Sequence, residues 1–299
     1  MGPRFRMLLS VVVVLVATGL LVPASVAGQS ADDGWTLPRT PDGHPDLRGV
    51  WANNSATPLE RPEVWADKER LTDEELAALL VASDAAVGDG DALFGDQLVL
   101  AAIAGIEATS YDPTTGNYNQ FWLIDRWFDN RTSLIVEPAD GRLPPLTPEG
   151  QQRADARAQT RRERGPYDSF EDRPLAERCL IYRGVPAFPT GYNNNYHIVQ
   201  APGYVAILNE MIHDVRVVPL DARPPVDGRI RQWNGDSRGH WENDTLVVET
   251  TNYRDTTTWR GFPGSRALRA VERFTRVDAD TIDYRYTIDD ETTYTRPFP

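Results

Sequence analysis

From Tyr192 to Thr292 apolar and polar residues alternate at a period of two, broken by Ala201-Pro202-Gly203, Asp221 to Gly228, Asn243-Asp244, Gly261 to Gly264 and Asp278-Ala279-Asp280. Successive side chains of a strand point to opposite faces, so this texture predicts half-buried strands joined by turns. The strands fall at 196–200, 204–210, 212–219, 230–234, 237–242, 245–252, 268–277 and 281–289, with one or two fused or lost. Short runs with regularly spaced turn signals predict a mainly β protein whose antiparallel sheet closes as a barrel or stacks as a sandwich.

The first half reads differently. Between Trp35 and Trp51, Pro38, Pro41 and Pro45 forbid a helix, and the arm is expected to run extended into a first strand. Thr72 and Glu75 form a capping box ahead of a helix to Val87, with Leu76, Leu79, Leu80 and Val87 as its apolar stripe and Ser83 as a polar gap. Leu98 to Ile106 is readable as a short helix or a buried strand. Segments 119–125 and 132–137 flank Asp129-Asn130 as a hairpin, and Thr147-Pro148 opens a charged helix through Arg164, with Gly150 weakening its first turn. These helices are peripheral additions. The expected division is a leader at 1–27, an arm with helices at 28–191 and the sheet region at 192–299, with 40–299 forming one integrated domain.

Arg4 and Arg6 precede an apolar run from Met7 to Val22 and a small-residue site at Ser25-Val26-Ala27, the pattern of a cleaved export leader. A retained anchor helix is the rival reading, and no other segment is long and apolar enough to span a bilayer. Export predicts a periplasmic or extracellular protein. Cys179 is the only cysteine, so no intrachain disulfide forms and stability has to come from the core. The net charge of -13 excludes phosphate-backbone binding by clustered cations, and nucleic acid drops out as a partner.

The densest chemistry lies from Arg231 to Tyr253. Gly235-Asp236-Ser237-Arg238-Gly239 matches the G-x-S-x-G of a nucleophile elbow, but a hairpin turn at Asn243-Asp244 follows where a helix is required, so a serine hydrolase is not expected. The four histidines make no metal-ligand motif; a set of His197 and His213 with Asp214 or Asp236 stays open, because long-range spacing does not decide it. The remaining chemistry is acid–base. His213 falls on one strand face and Asp214 with Arg216 on the other, while Asp236, Arg238, His240 and Glu242 share a face of the hairpin. If that face lines a cavity, His213 and His240 transfer protons, Asp214 and Asp236 orient them, and Arg216 or Arg238 neutralises an anionic substrate group. Trp241 is a stacking contact in that reading, and Tyr196 with Asn195 belongs to a polar rim. If the face meets solvent, the same residues are a ladder of surface charge pairs.

The chain resembles an uncharacterised family of predicted exported bacterial proteins. The likeness rests on P-D-G-H-P-D-L-R-G-V-W at 41–51, R-T-S-L-I-V-E-P-A-D-G-R at 131–142, Y-N-N-N-Y-H-I-V-Q at 192–200, G-D-S-R-G-H-W-E-N-D-T-L-V-V-E-T at 235–250 and V-E-R-F-T-R-V at 271–277. It implies export and a lipocalin-like β-rich body, and it supplies no catalytic residues. Gly49-Val50-Trp51 is also similar to the G-x-W that opens lipocalin-type barrels.

The expectation is therefore an exported small-molecule-binding barrel, an enzyme performing lyase, isomerase or hydrolase chemistry without a cofactor. The rival is a non-catalytic ligand-binding protein of the cell envelope. Inward or outward pointing of His213, His240, Asp236 and Arg238 separates the two.

Overall fold

The computed structural model describes residues 34–87, 97–106, 125–165, 167–181, 185–189, 193–255, 258–259 and 262–298. The predicted leader and the segment 119–124 lie outside them. Contacts group the chain into Met1–Thr36, described only from residue 34, and Leu37–Pro299. The second unit runs β1 (Gly49–Ala52), α1 (Asp73–Val87), α2 (Gln97–Ala104), α3 (Pro148–Glu163), β2 (Asn195–Ala201), β3 (Tyr204–Asn209), β4 (Val215–Pro219), β5 (Asp236–Glu242), β6 (Thr245–Thr251), β7 (Thr258–Trp259), β8 (Phe262–Pro263), β9 (Arg269–Arg276) and β10 (Ile282–Asp289).

Two four-stranded sheets carry the fold, ordered β1-β2-β3-β4 and β10-β9-β6-β5, with every pairing antiparallel. Alternation gives each sheet one apolar face. Ile198, Val205, Ile207 and Val218 of the first sheet and Leu246, Val248 and Phe274 of the second are buried in a single core, so the sheets stack as a sandwich. Val50, Val199, Val215 and Val217 stand exposed on the other face of the first sheet. No hydrogen-bonded closure into a barrel is present among the described residues.

Gly239 sets how closely the sheets approach. A Cβ there would lie 2.7 Å from Leu220 Cδ2 and 2.8 Å from Val218 Cγ1, inside any tolerable contact. Gly235 serves a different end, with φ +68 at the entry to β5. The two glycines of G-D-S-R-G thus make a turn and a close packing. At the far end Trp51 donates from Nε1 to Leu47 O at 2.9 Å, and the Arg276 guanidinium lies 5.3 Å from its ring.

Several expectations change. The β3–β4 connection is a short 3-10 turn at Met211–His213, so the strand starts at Val215 and not at 212. Segment 230–234 forms no strand; Gln232 only bridges Tyr253. Residues 132–137 make no hairpin arm, because Leu134 N and Ile135 N donate to Pro58 O and Leu59 O at 2.7 and 3.1 Å and carry Ile135 into a second core with Leu59. Leu98 to Ile106 resolves as helix α2, which packs with α1.

The helix α1 starts as its capping box predicts, with Glu75 N donating to Thr72 Oγ1 at 3.2 Å and Thr72 N to Glu75 Oε2 at 2.9 Å. Its buried stripe is Leu79, Ser83 and Ala86, and Leu80 is 41% exposed. In α3 the glycine expected to weaken the first turn is required, because a Cβ on Gly150 would run into the Thr293 backbone. Gly239→Ala is expected to cost about 1–3 kcal/mol by forcing the sheets apart. Urea denaturation measures it, and a loss within error of zero would show that the sheets are free to shift.

Candidate functional site

The charged face of the β5–β6 hairpin points outward. His240 and Glu242 meet at 3.1 Å, Arg273 NH1 donates to Glu242 at 2.7 Å, and Arg269 NH2 donates to Glu249 at 2.8 Å. All of these side chains are about half exposed, the solvated ladder that cross-strand charge pairing produces. Each such pair is worth at most about 1 kcal/mol. Asp236 is buried at the start of the strand, where Oδ2 accepts from Val226 N at 2.9 Å and Oδ1 from Arg238 NH1 at 2.7 Å. Arg238 also donates to Pro224 O. Both side chains tie down the 224–226 segment. Ser237 faces inward and pairs with Thr250 Oγ1 at 2.9 Å, between two strands and with no helix behind it. The elbow reading has no structural counterpart.

His213 is exposed, and it and Ile212 hold left-handed φ of 44 and 62. Such a pair of non-glycine residues is strained, about 1–3 kcal/mol each. The turn delivers Asp214 to the inner face of the first sheet, beside Asn209, whose N donates to Asp214 O at 2.8 Å. His213 sits in the turn between β3 and β4 and His240 on β5, both exposed. Trp241 faces the interior with its ring stacked on His44 at 5.1 Å, and Asn195 is held by Glu210 through Nδ2 at 2.9 Å.

The chemistry concentrates between the sheets. On β9, Glu272 sits in a row with Val248 and Tyr286 and is fully buried. Across the gap Arg216 of β4 closes two hydrogen bonds on it, NH1 to Oε2 at 2.5 Å and NH2 to Oε1 at 3.1 Å. Burial works against the Arg216 cation, yet the Glu272 carboxylate more than offsets it and leaves its pKa above the usual value. Tyr284 donates to Glu272 Oε1 at 2.7 Å and accepts from Ala187 N at 2.8 Å. Burial first, and the Glu272 charge next, raise the pKa of both Tyr284 and Tyr253, so each remains a neutral phenol.

This cluster opens at one end. A cavity of about 20 Å3, room for roughly one water-sized group, is lined by Val185, Ala187, Tyr196, Ile207, Asn209, Asp214, Arg216 and Asn234. Asn234 Nδ2 donates to Asp214 Oδ2, and the Asn234 Oδ1 atom is buried with no hydrogen-bond partner among the described residues. Desolvation raises the Asp214 pKa, against the opposing pulls of Arg216 and of Asn234. Of the residues singled out from the sequence, Asp214, Arg216 and Tyr196 line one cavity, while His213, His240, Asp236, Arg238, Trp241 and Asn195 do not line it. Among the described residues no three His, Cys, Asp or Glu side chains group as metal ligands.

Glu272 and Asn234 were missed by sequence reasoning. The signal for Glu272 is an acid set two residues from Ala270 and two from Phe274 on an apolar row; Asn234 carries no pattern at all. The class these features define is an antiparallel β-sandwich with an ionised interior cluster opening on a small polar cavity. No protein family, curated protein or solved structure matches the chain.

Removing one member of the buried pair, as in Glu272→Gln, is expected to cost about 3–5 kcal/mol, whereas Arg216→Met with Glu272→Leu is expected to be near neutral. Chemical denaturation of both variants decides it. For Asp214 the folded pKa is raised, so the native state holds its proton more tightly than the unfolded chain. Its contribution is present below the ordinary carboxylate range and is lost as pH rises through the folded value. Asp214→Asn should therefore gain stability over the parent at pH 7, with the gain shrinking as pH falls through the raised folded value and levelling off by about pH 4, the ordinary carboxylate range. Thermal melts from pH 3 to 8 measure the difference, and a gap that widens toward acid would contradict it.

Proposed function

We propose that this is an exported, lipocalin-like binding protein of the cell envelope, which takes one polar end of a small organic molecule at the end of the gap between its two sheets, the rest of the molecule lying outside the cavity. The observation that carries the reading is the cavity at Asp214 and Asn234, opening from an ionised cluster in what is otherwise an apolar sandwich core. A core of this kind gains no stability from a buried ion pair that hydrophobic residues would not supply as well, so its presence calls for another role. Asp214 keeps a half-buried carboxylate at this cavity, a group whose desolvation a donor on a bound molecule would offset. The exposed histidines favour binding over the histidine-based proton transfer expected from the sequence.

A second reading keeps acid–base chemistry and assigns it to Asp214, whose raised pKa is a feature of general acids and bases. A thermal-shift screen of small metabolites against the parent and against His213→Gln, Asn234→Ala and Asp214→Asn tests both. Binding predicts that a compound stabilises the parent and His213→Gln and fails to stabilise the two cavity variants. Hits that persist in every variant would remove the cavity from the account. Turnover of a hit by the parent and not by Asp214→Asn would favour the second reading.

A further inference from the structure

We propose that the outer face of the first sheet is where a second copy of this chain docks, sheet face against sheet face about a two-fold axis.

The face is apolar and open. Antiparallel register lines up Val50, His197, Leu208 and Val215 as one row across all four strands, and Val199, Ala206 and Val217 as the next. Val50 is 65% exposed, Val199 45%, Val215 51% and Val217 57%, so no other described segment covers these valines. A quarter of the chain is Asp, Glu, Lys or Arg, yet no outward position of β1 to β4 is one of them. The outer face of the second sheet is the contrast, since it carries Glu242, Glu249, Arg269 and Arg273 as cross-strand pairs. One sheet is thus dressed for water and the other is not.

Charge selects a second copy as the occupant. A two-fold axis sets each patch against itself, and two chains of net charge -13 repel wherever charged surface meets charged surface. A face without charge is self-complementary under that operation, because it brings no like charges together. The same net charge opposes docking on an anionic membrane surface. Charges begin only at the two ends of the face. Glu210 holds Asn195 at one end, and Arg223, paired with Asp221, donates to the Tyr204 hydroxyl at the other at 2.7 Å. An apolar centre with a polar rim is the usual anatomy of an interface.

Shape and area set the strength. Valine and alanine side chains are short, so the face suits sheet-on-sheet stacking at about 10 Å. Strand spacing and rise give a face of roughly 19 Å by 20 Å, and two copies bury on the order of 1,000 Å2, the low end for a specific interface. The dimer is accordingly weak, with a dissociation constant on the order of micromolar or above. Val215 and Val217 flank Arg216, so docking covers the outer side of the strand whose inner side holds Glu272.

The test is sedimentation velocity of the full chain from about 1 µM to 1 mM. Val199→Glu and Val217→Glu place a charge on the face, and Thr287→Glu is the control, because it adds the same charge to the outer face of the second sheet. The expected result is that the parent and Thr287→Glu pass from monomer to dimer as concentration rises. Each face variant should raise the dissociation constant at least about tenfold while keeping the parent's circular dichroism. Should a face variant fail to fold, mixed samples of isotope-labelled and unlabelled parent give the second reading, with NOEs between copies expected among the methyls of Val50, Val199, Val215 and Val217. A parent that stays monomeric throughout, or NOEs between copies confined to other residues, would overturn the docking. So would association that persists unchanged in both face variants, as association through the apolar run at 7–22 would. A monomeric parent that binds phosphatidylcholine vesicles, and loses that binding in the face variants, would give the face to a lipid surface and overturn the second copy as its occupant.

Discussion

Arg216 reaches from β4 into the gap between the sheets and closes two hydrogen bonds on Glu272 of β9, and this contact conditions much of the interior around it. Two charges removed from water need each other, so the two sheets are held in one relative position wherever both are present. Tyr284 completes the acceptor set of Glu272 and at the same time receives Ala187 N, which ties the 185–189 segment to the cluster. That segment forms part of the cavity wall. A pair that fixes the sheets thus also fixes the shape of the space where a ligand would sit.

The hairpin that carries the most conspicuous chemistry in the sequence serves the frame around this cluster. Gly235 makes the entry turn, Ser237 pairs with Thr250 inside, Gly239 lets Val218 and Leu220 approach, and Asp236 with Arg238 anchors the preceding loop. Its charged outer face, from His240 to Glu242, is a solvated ladder joined to Arg273. The strained pair Ile212 and His213 is where the frame meets the site, because the turn they make brings Asp214 to the inner face.

Much of the sheet was legible because strand periodicity and turn chemistry are local. Asn243-Asp244 fixed the β5–β6 hairpin, and the stripe Ile282, Tyr284, Tyr286, Ile288 was readable as an inner row before its partners were known. That Asp214 and Arg216 share a face was readable from alternation, whereas His213 is set apart from them by the turn at Met211–His213 and not by a strand. What was not legible is which sheet face meets which: a strand sequence does not state its partner, so the hairpin face read equally well as cavity or as surface. Residues 132–137 look like a strand and are claimed by Pro58 and Leu59, a contact between distant segments that no local pattern encodes. Glu272 was visible as a lone acid on an apolar row, but its meaning appears only with Arg216 facing it.

The central claim is that the interior cavity, and not the charged outer hairpin, receives the ligand. The most direct measurement is a chemical-shift map of the protein titrated with the small molecule that stabilises it most. The account predicts the largest shifts at Tyr196, Asn209, Asp214 and Asn234, with His240, Glu242 and Arg273 unmoved. Shifts confined to His240, Glu242 and Arg273 would contradict it.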